Sequence, residues 1–482
     1  MPEDRRGVLG AYYTPPALTQ RLVDQVAEAG ADWRTARILD PAAGGGAFMV
    51  EIAMRMRAAM IDCRPEFVLA QIGTRLLGLE IDPCAACLAQ SALEIVLGDL
   101  AAAAKRKVPA MVLVRNTLEE SPVPEYDVVL GNPPYGRVAL SPLQRDRYQR
   151  SLYGHANLYG VFTDVALRWA RPGGLIAYLT PTSFLAGQYY SALRALLAKE
   201  APPVAVDFVH ARKGIFEDVL QETMIAVYRR AAEQGRVQIH YLTMESERQA
   251  SVIRNGTVGI PTDAAAPWLA PRQPEHSALI HKTESMPARL ADWGYSVSTG
   301  PLVWNRFKDQ LSDWGTEKNA FPLIWAESVS SEGKFAFRAE KKNHHPYFKL
   351  EKGDEWLLVL EPCVLVQRTT SKEQARRLIA AELPAYFIDE HGGVVVENHL
   401  NMIRSSQKPK VSPAVLATLL NSRALDEVFR CMNGSVAVSA FELEALPLPQ
   451  PAELKKLRQL VREGASREKL EAECDRLYGL KR

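Results

Sequence analysis

Short apolar runs alternate with helix-like segments through the first half of the chain, and this alternation restricts the fold more than any other feature. The runs are 37–39, 76–81, 111–114, 127–130, 175–179, 204–209 and 224–228. Between most of them lie segments with helical spacing, at 47–60, 84–96, 158–170 and 190–199. Runs this short and apolar fit strands buried on both faces. They predict an α/β fold with a mainly parallel, doubly wound sheet. In such sheets ligands bind beyond the carboxyl ends of the strands, near the point where strand order reverses.

With 482 residues the chain exceeds one ordinary core, so a second domain is expected. The pattern changes near Gln234, and Pro261, Pro267, Pro271 and Pro274 punctuate the stretch beyond it. We read 1–235 as the first domain and 236–482 as an α+β domain with a helical tail, entered through a linker spanning roughly 231–290. Within it, 356–367 reads as one strand. Thr370 and Glu373 are spaced as a capping box for a following helix. The charged tail 452–482 has apolar residues at helical spacing and reads as one closing helix. No apolar run reaches the roughly 18 residues of a membrane span, and the first ten residues lack the core of a signal peptide. Six scattered cysteines make no disulfide framework, so a cytoplasmic protein is expected. A net charge of +2 neither announces nor excludes a nucleic-acid partner, because charge can concentrate in one cleft.

The first run leads into Asp40-Pro41-Ala42-Ala43-Gly44-Gly45-Gly46-Ala47-Phe48. Glycines at a strand-to-helix turn allow close approach of a ligand. The turn lacks the Gly-Lys-Ser/Thr ending of a phosphate loop, which argues against a nucleoside triphosphate. One β-α-β unit later comes Gly78-Leu79-Glu80-Ile81-Asp82. A carboxylate there can accept hydrogen bonds from ribose hydroxyls. Glu80 suits that task, while Asp82, just before Pro83, reads better as a helix cap.

Asn132-Pro133-Pro134-Tyr135 follows the run 127–130 directly. An exocyclic aromatic amine is a poor nucleophile, because its lone pair is delocalised into the ring. Two fixed acceptors, the Asn132 side-chain oxygen and the Pro133 carbonyl, favour a more tetrahedral nitrogen that can attack an electrophilic methyl group. The prolines stiffen the loop and preorganise the acceptors. Tyr135 offers a π face to a planar base.

Together these segments resemble the gamma class of N6-adenine DNA methyltransferases, the modification methylases of restriction–modification systems. The resemblance spans roughly residues 10–230. It rests on Gly10-Ala11-Tyr12-Tyr13-Thr14-Pro15-Pro16 preceding the glycine turn, on the Asn132–Tyr135 loop, and on the weaker matches 157–162 and 173–181. It implies a class I S-adenosylmethionine-dependent methyltransferase fold, S-adenosylmethionine as methyl donor and no metal. Thr14 and the Tyr12–Tyr13 backbone are then expected at the methionine end of the donor. Asp40, Ala42 and Gly44 are expected along its middle, Glu80 at the ribose and Ile81 against the adenine. Asn116 stands where the family often has an Asp for the adenine amine. Tyr190 is the expected second aromatic on the target base, with Tyr189 and Phe184 as rivals.

An amine inside a duplex is reached only when its base is swung out of the stack, and choosing one sequence needs a separate reading surface. The second domain resembles target-recognition domains at 364–370, 419–422 and 446–449, and Lys341, Lys342, Arg368, Arg376 and Arg377 are candidate DNA contacts. The expected partners are double-stranded DNA and a separate cognate restriction endonuclease. No nuclease domain is expected ahead of the catalytic half, and no membrane is involved. The alternatives sharing the loop are methyltransferases of a protein glutamine amide or of an RNA base amine. Cytosine N4 is another exocyclic amine, although family members acting there more commonly have Ser at the Asn132 place.

Overall fold

A computed structural model describes residues 14–211, 222–369, 376–433 and 437–480. Tyr12 and Tyr13, and the capping pair Thr370 and Glu373, lie outside the described residues. The chain divides into two compact units, Met1–Pro274 and Glu275–Arg482.

The first unit is built on one nine-stranded sheet. Its strands are β1 (Ile38–Asp40), β2 (Leu76–Glu80), β3 (Val112–Val114), β4 (Tyr126–Gly131), β5 (Ala170–Pro181), β6 (Pro203–Ala211), β7 (Thr223–Arg229), β8 (Val237–Met244) and β9 (Ala250–Val258), in the order β3-β2-β1-β4-β5-β7-β6-β8-β9. β1 to β5 pair in parallel, β7 runs antiparallel between β5 and β6, and β9 is an antiparallel edge. All seven expected strands are present. The order reverses between β1 and β4, so the ends of those two strands frame the ligand crevice.

The helices of this unit are α1 (Pro16–Glu28), α2 (Ala47–Ala59), α3 (Pro65–Arg75), α4 (Pro83–Val96), α5 (Gly98–Ala103), α6 (Pro142–Tyr148), α7 (Leu158–Trp169) and α8 (Ser191–Glu200). Apolar spacing of three and four drives their packing, as with Phe48, Met49, Ile52, Ala53 and Met56 of α2, all buried. α4 opens as its sequence suggests: Pro83 occupies the first turn, and the Asp82 carboxylate accepts from the amides of Cys84 and Ala85 at 2.8 and 3.0 Å.

Two features were missed. α3 carries no distinct start signal beyond Pro65. β8 and β9 extend the sheet into the stretch read as a linker, so the first unit ends at Pro274 rather than at 235. β9 is largely exposed and carries Arg254, Asn255 and Gly256 mid-strand, which hides its strand character.

The second unit holds two small sheets. One comprises β10 (Tyr295–Thr299), β15 (Cys363–Gln367), β16 (Ala380–Leu383) and β18 (Leu400–Ser405), in the order β10-β18-β15-β16. The other comprises β11 (Leu311–Ser312), β12 (Ala320–Ile324), β13 (Tyr347–Lys349), β14 (Leu358–Val359) and β17 (Val394–Val396), in the order β11-β13-β12-β17-β14. The expected single strand over 356–367 is therefore two strands in two sheets. Exposed Leu360 and the amide-less Pro362 interrupt it. The expected closing helix is likewise two, Lys455–Arg462 and Arg467–Tyr478. Gly464, at φ +60°, lies in the turn between them.

Candidate active site

Two turns meet at the reversal point. Gly131 ends β4 with φ +154°, and a Cβ there would come within 2.6 Å of Asp40 Oδ1 at the end of β1. Gly46, at φ +86°, starts α2 where a Cβ would lie 2.8 Å from the Cα of Ala89. Neither position accepts a side chain, so the glycines keep β1, β4 and α4 close-set around a cavity of about 730 Å³.

Of the expected residues, Thr14, Ala42, Gly44, Glu80, Ile81, Asn116 and Asn132 line this cavity, and Pro41 and Pro134 join them. The Glu80 carboxylate is held from both sides. Oε2 accepts from the Gly44 amide at 2.8 Å, and Oε1 from the Asp82 amide at 2.9 Å. Each oxygen keeps a lone pair for a further donor. Ile81 is 53% exposed, an apolar wall left open beside that carboxylate. Asn116 is engaged in its own turn: Oδ1 accepts from the Leu118 amide at 3.2 Å, and Nδ2 donates to Glu119 at 2.7 Å. Each arm keeps one further hydrogen-bonding position, a lone pair on Oδ1 and a second hydrogen on Nδ2.

Asp40 stands behind the cavity wall, fully buried. Its Oδ1 accepts from the Ala42 amide at 3.0 Å, while Oδ2 has no hydrogen-bond partner among the described residues. Burial pushes this carboxyl up to about 7; the Ala42 amide opposes the shift, and the Glu80 charge adds to it.

The Asn132 amide is tied at both ends. Nδ2 donates to Thr14 Oγ1 at 3.1 Å, and Oδ1 accepts from the Tyr135 hydroxyl at 2.5 Å. That hydroxyl also lies 2.9 Å from the Leu179 carbonyl. Thr14 therefore has a role that sequence reasoning missed: it bonds the Nδ2 end of the amide and holds the side chain in place. The two residues are 118 positions apart, and no local pattern links them. Leu158 and Phe162 of α7 also line the cavity. They fall inside the 157–162 match, which was the available signal.

Tyr190 departs from expectation. Its ring belongs to a core cluster, edge-on to Tyr159 at 5.9 Å and to Phe184 at 6.1 Å, and it is 9% exposed. Phe184 is buried in the same cluster against Trp268. Core packing has taken up the ring faces that stacking on a base would need. Tyr189, by contrast, is about half exposed and stands beside His155.

In the second unit the basic candidates divide. Lys341 and Lys342 are exposed, with Lys341 3.9 Å from Glu327. Arg368 is half-buried and donates to the Asn398 carbonyl at 2.7 Å. Arg376 is a correction: its guanidinium bonds the carbonyls of Asn421 and Ser331, so its donors brace backbone. Arg377 is half-buried, with its amide on Asp426 at 2.6 Å. Asn421, within the 419–422 resemblance, is likewise structural, bonding both the N–H and C=O of Ala380 in β16.

The order and directions of β1 to β7 are those of a class I S-adenosylmethionine-dependent methyltransferase. A Type IIL restriction-modification enzyme, MmeI, in complex with DNA shares the fold, with a TM-score of 0.57, 14% identity, and coverage of 100% of this chain and 78% of that one. Residues 113–216 match the model of the Eco57I restriction-modification methylase family. The Type II methyltransferase M.PstI of Providencia stuartii is 28% identical over 72% of this chain and 70% of its own length. M.BsuBI of Bacillus subtilis is 27% identical over 66% and 64% respectively. These matches bear out the resemblance to restriction–modification modification methylases drawn from the motifs.

Proposed function

We propose that the chain is a DNA methyltransferase that moves a methyl group from S-adenosylmethionine to the N6 amine of adenine, as the modification enzyme of a restriction–modification system. The observation that carries this reading is the Asn132–Tyr135 loop at the end of β4, whose Asn132 and Pro134 line the same cavity as the glycine turn and Glu80, while Pro133 and Tyr135 are not among its lining residues. The relatives named Type II methyltransferases support it, and they make double-stranded DNA and a separate cognate endonuclease the proposed partners.

The cavity residues fit the donor. The doubly held Glu80 suits ribose hydroxyls and exposed Ile81 suits an adenine ring, while Asp40 stands behind the wall and braces the turn through the Ala42 amide. When bound, S-adenosylmethionine supplies an electrophilic methyl group on a sulfonium. The chain supplies orientation. Asn132 Oδ1 and the Pro133 carbonyl accept the two amine hydrogens and leave the nitrogen lone pair free to attack. Thr14 holds Nδ2 so that Oδ1 faces the amine. Tyr135 gives up its hydroxyl's hold on Asn132 and offers its ring to the extruded base. The second unit is the proposed target-recognition domain.

The test is transfer of labelled methyl from S-adenosylmethionine to mixed-sequence duplex DNA, followed by nucleoside analysis. N6-methyladenine supports the proposal. N4-methylcytosine moves the chemistry to another exocyclic amine. Label only in a protein glutamine amide or in RNA overturns it.

A further inference from the structure

Of the histidine–carboxylate pairs among the described residues, one is built unlike the rest. The Glu397 side chain is completely buried, yet the His399 side chain it holds stays 60% exposed. His240 and Asp207 are both buried, and His345 and Asp313 are both open. His399 Nδ1 lies 2.7 and 2.9 Å from the two Glu397 oxygens, and the His399 amide donates to the same carboxylate at 2.8 Å. The ring is gripped by its inner nitrogen, and Nε2 is presented outward. The turn that does this fits against Gly300, where a Cβ would fall 2.2 Å from the Glu397 carbonyl oxygen.

Arg368 stands beside this ring. β15 and β18 pair from Val364↔Ile403 to Gln367↔Leu400. Just past that ladder the Arg368 amide donates to the His399 carbonyl at 2.9 Å, which joins Arg368 to the turn that carries the ring. The bond from Arg368 Nη1 to Asn398 fixes the plane of the guanidinium, whose fork carries five N–H donors in all.

Burying a carboxylate is expensive. Here the carboxylate holds one surface ring together with the amide of its own turn. A phosphate makes small demands on direction, and mobile lysines serve it well. Base-pair edges require donors and acceptors at fixed places. We propose that His399, held by Glu397, and Arg368 form a base-reading element of the second unit, with Arg368 directed at purine acceptors such as guanine N7 and O6 in the major groove. This rests on the DNA reading above and names the part of the chain that chooses sequence.

The test uses the full chain with S-adenosylmethionine and a pool of random duplexes, sequenced around each modified base. The wild-type preference is then compared with that of His399→Gln, Arg368→Gln and Arg368→Lys, the last keeping the charge without the fork. Discrimination at one base pair, or at two adjoining ones, is expected to fall about tenfold or more in each. The other positions and the salt dependence of binding should hold. Glu397→Gln, which keeps the buried shape, should relax the same position in part. A uniform loss on every sequence with a shallower salt dependence would identify a phosphate contact and overturn the inference. Unchanged preference in both Arg368 variants and in His399→Gln would overturn it too. Wild-type protein that methylates no duplex overturns the DNA reading itself, an outcome distinct from either.

Discussion

The two units use polar side chains in opposite ways. Around the cavity of the first, backbone amides and hydroxyls hold functional side chains in place. Gly44 and Asp82 hold Glu80, and Thr14 and Tyr135 hold Asn132. In the second, several conspicuous polar side chains hold backbone instead, as Arg376 does for Asn421 and Ser331, and Asn421 for Ala380. Type and charge alone thus point to candidate site residues that gather on one cavity where a strand end fixes the context, and mislead where irregular loops must be tied together. His399 belongs with the first pattern although it sits in the second unit.

The largest effect expected from this contrast is at Asn132. Asn132→Ala should lower single-turnover methyl transfer by about 10²–10³ while the donor affinity, measured by calorimetry, stays near wild type. Equal losses in both would return Asn132 to a binding role. Glu80→Ala should do the reverse, weakening donor binding by roughly tenfold to a hundredfold with turnover at saturating donor largely kept. At Arg376 the expected loss is stability. Arg376→Met leaves two carbonyls without their donor and should cost about 1–3 kcal/mol in denaturant unfolding. Lys341→Met should leave unfolding unchanged and flatten the salt dependence of DNA binding. If the two mutants behave alike, the contrast between bracing and contact fails.

Thr14→Val should reduce turnover several-fold, by about 1 kcal/mol of barrier, with Thr14→Ser restoring most of it. A change confined to donor affinity would show that the hydroxyl does not orient the amide. The smallest effect concerns Asp40 and pH. Because burial raises this carboxyl to about 7, its contribution to stability is whole below about pH 4 and lost as pH rises through 7. Asp40→Asn should therefore gain in melting temperature over wild type across that interval and hold a constant margin above it. A margin independent of pH would place the Asp40 carboxyl in the ordinary range.

Legibility followed the distance over which a residue's partner lies. The glycine turn after Asp40, the cap at Asp82 and the loop at Asn132 are local patterns, and the sequence displayed them. Most of the strands β1 to β7 were readable because burial makes their runs apolar, and β3 was readable from its apolar run although it is only partly buried at the sheet edge. β9 was not, because an exposed edge tolerates Arg254 and Gly256. The roles of Thr14, Arg376 and Asn421 depend on partners between 41 and 118 residues away, which only folding brings close. Tyr190 was misplaced for a related reason: aromatic rings after β5 serve the core as readily as a ligand, and only Tyr189 kept a face exposed.

The bond between Tyr135 and Asn132 has a consequence for which bases the site will tolerate. In the empty protein the Tyr135 hydroxyl takes one of the two acceptor positions on Asn132 Oδ1, so an entering base shares that oxygen with the hydroxyl or displaces it. Adenine or cytosine brings an amine hydrogen to replace it, and the exchange is close to neutral. Thymine brings a carbonyl oxygen, which replaces nothing and sets two acceptors against each other. Leaving that oxygen unpaired costs on the order of 1–3 kcal/mol. Under the proposed function, the resting site therefore favours a base that presents an amine hydrogen to Asn132.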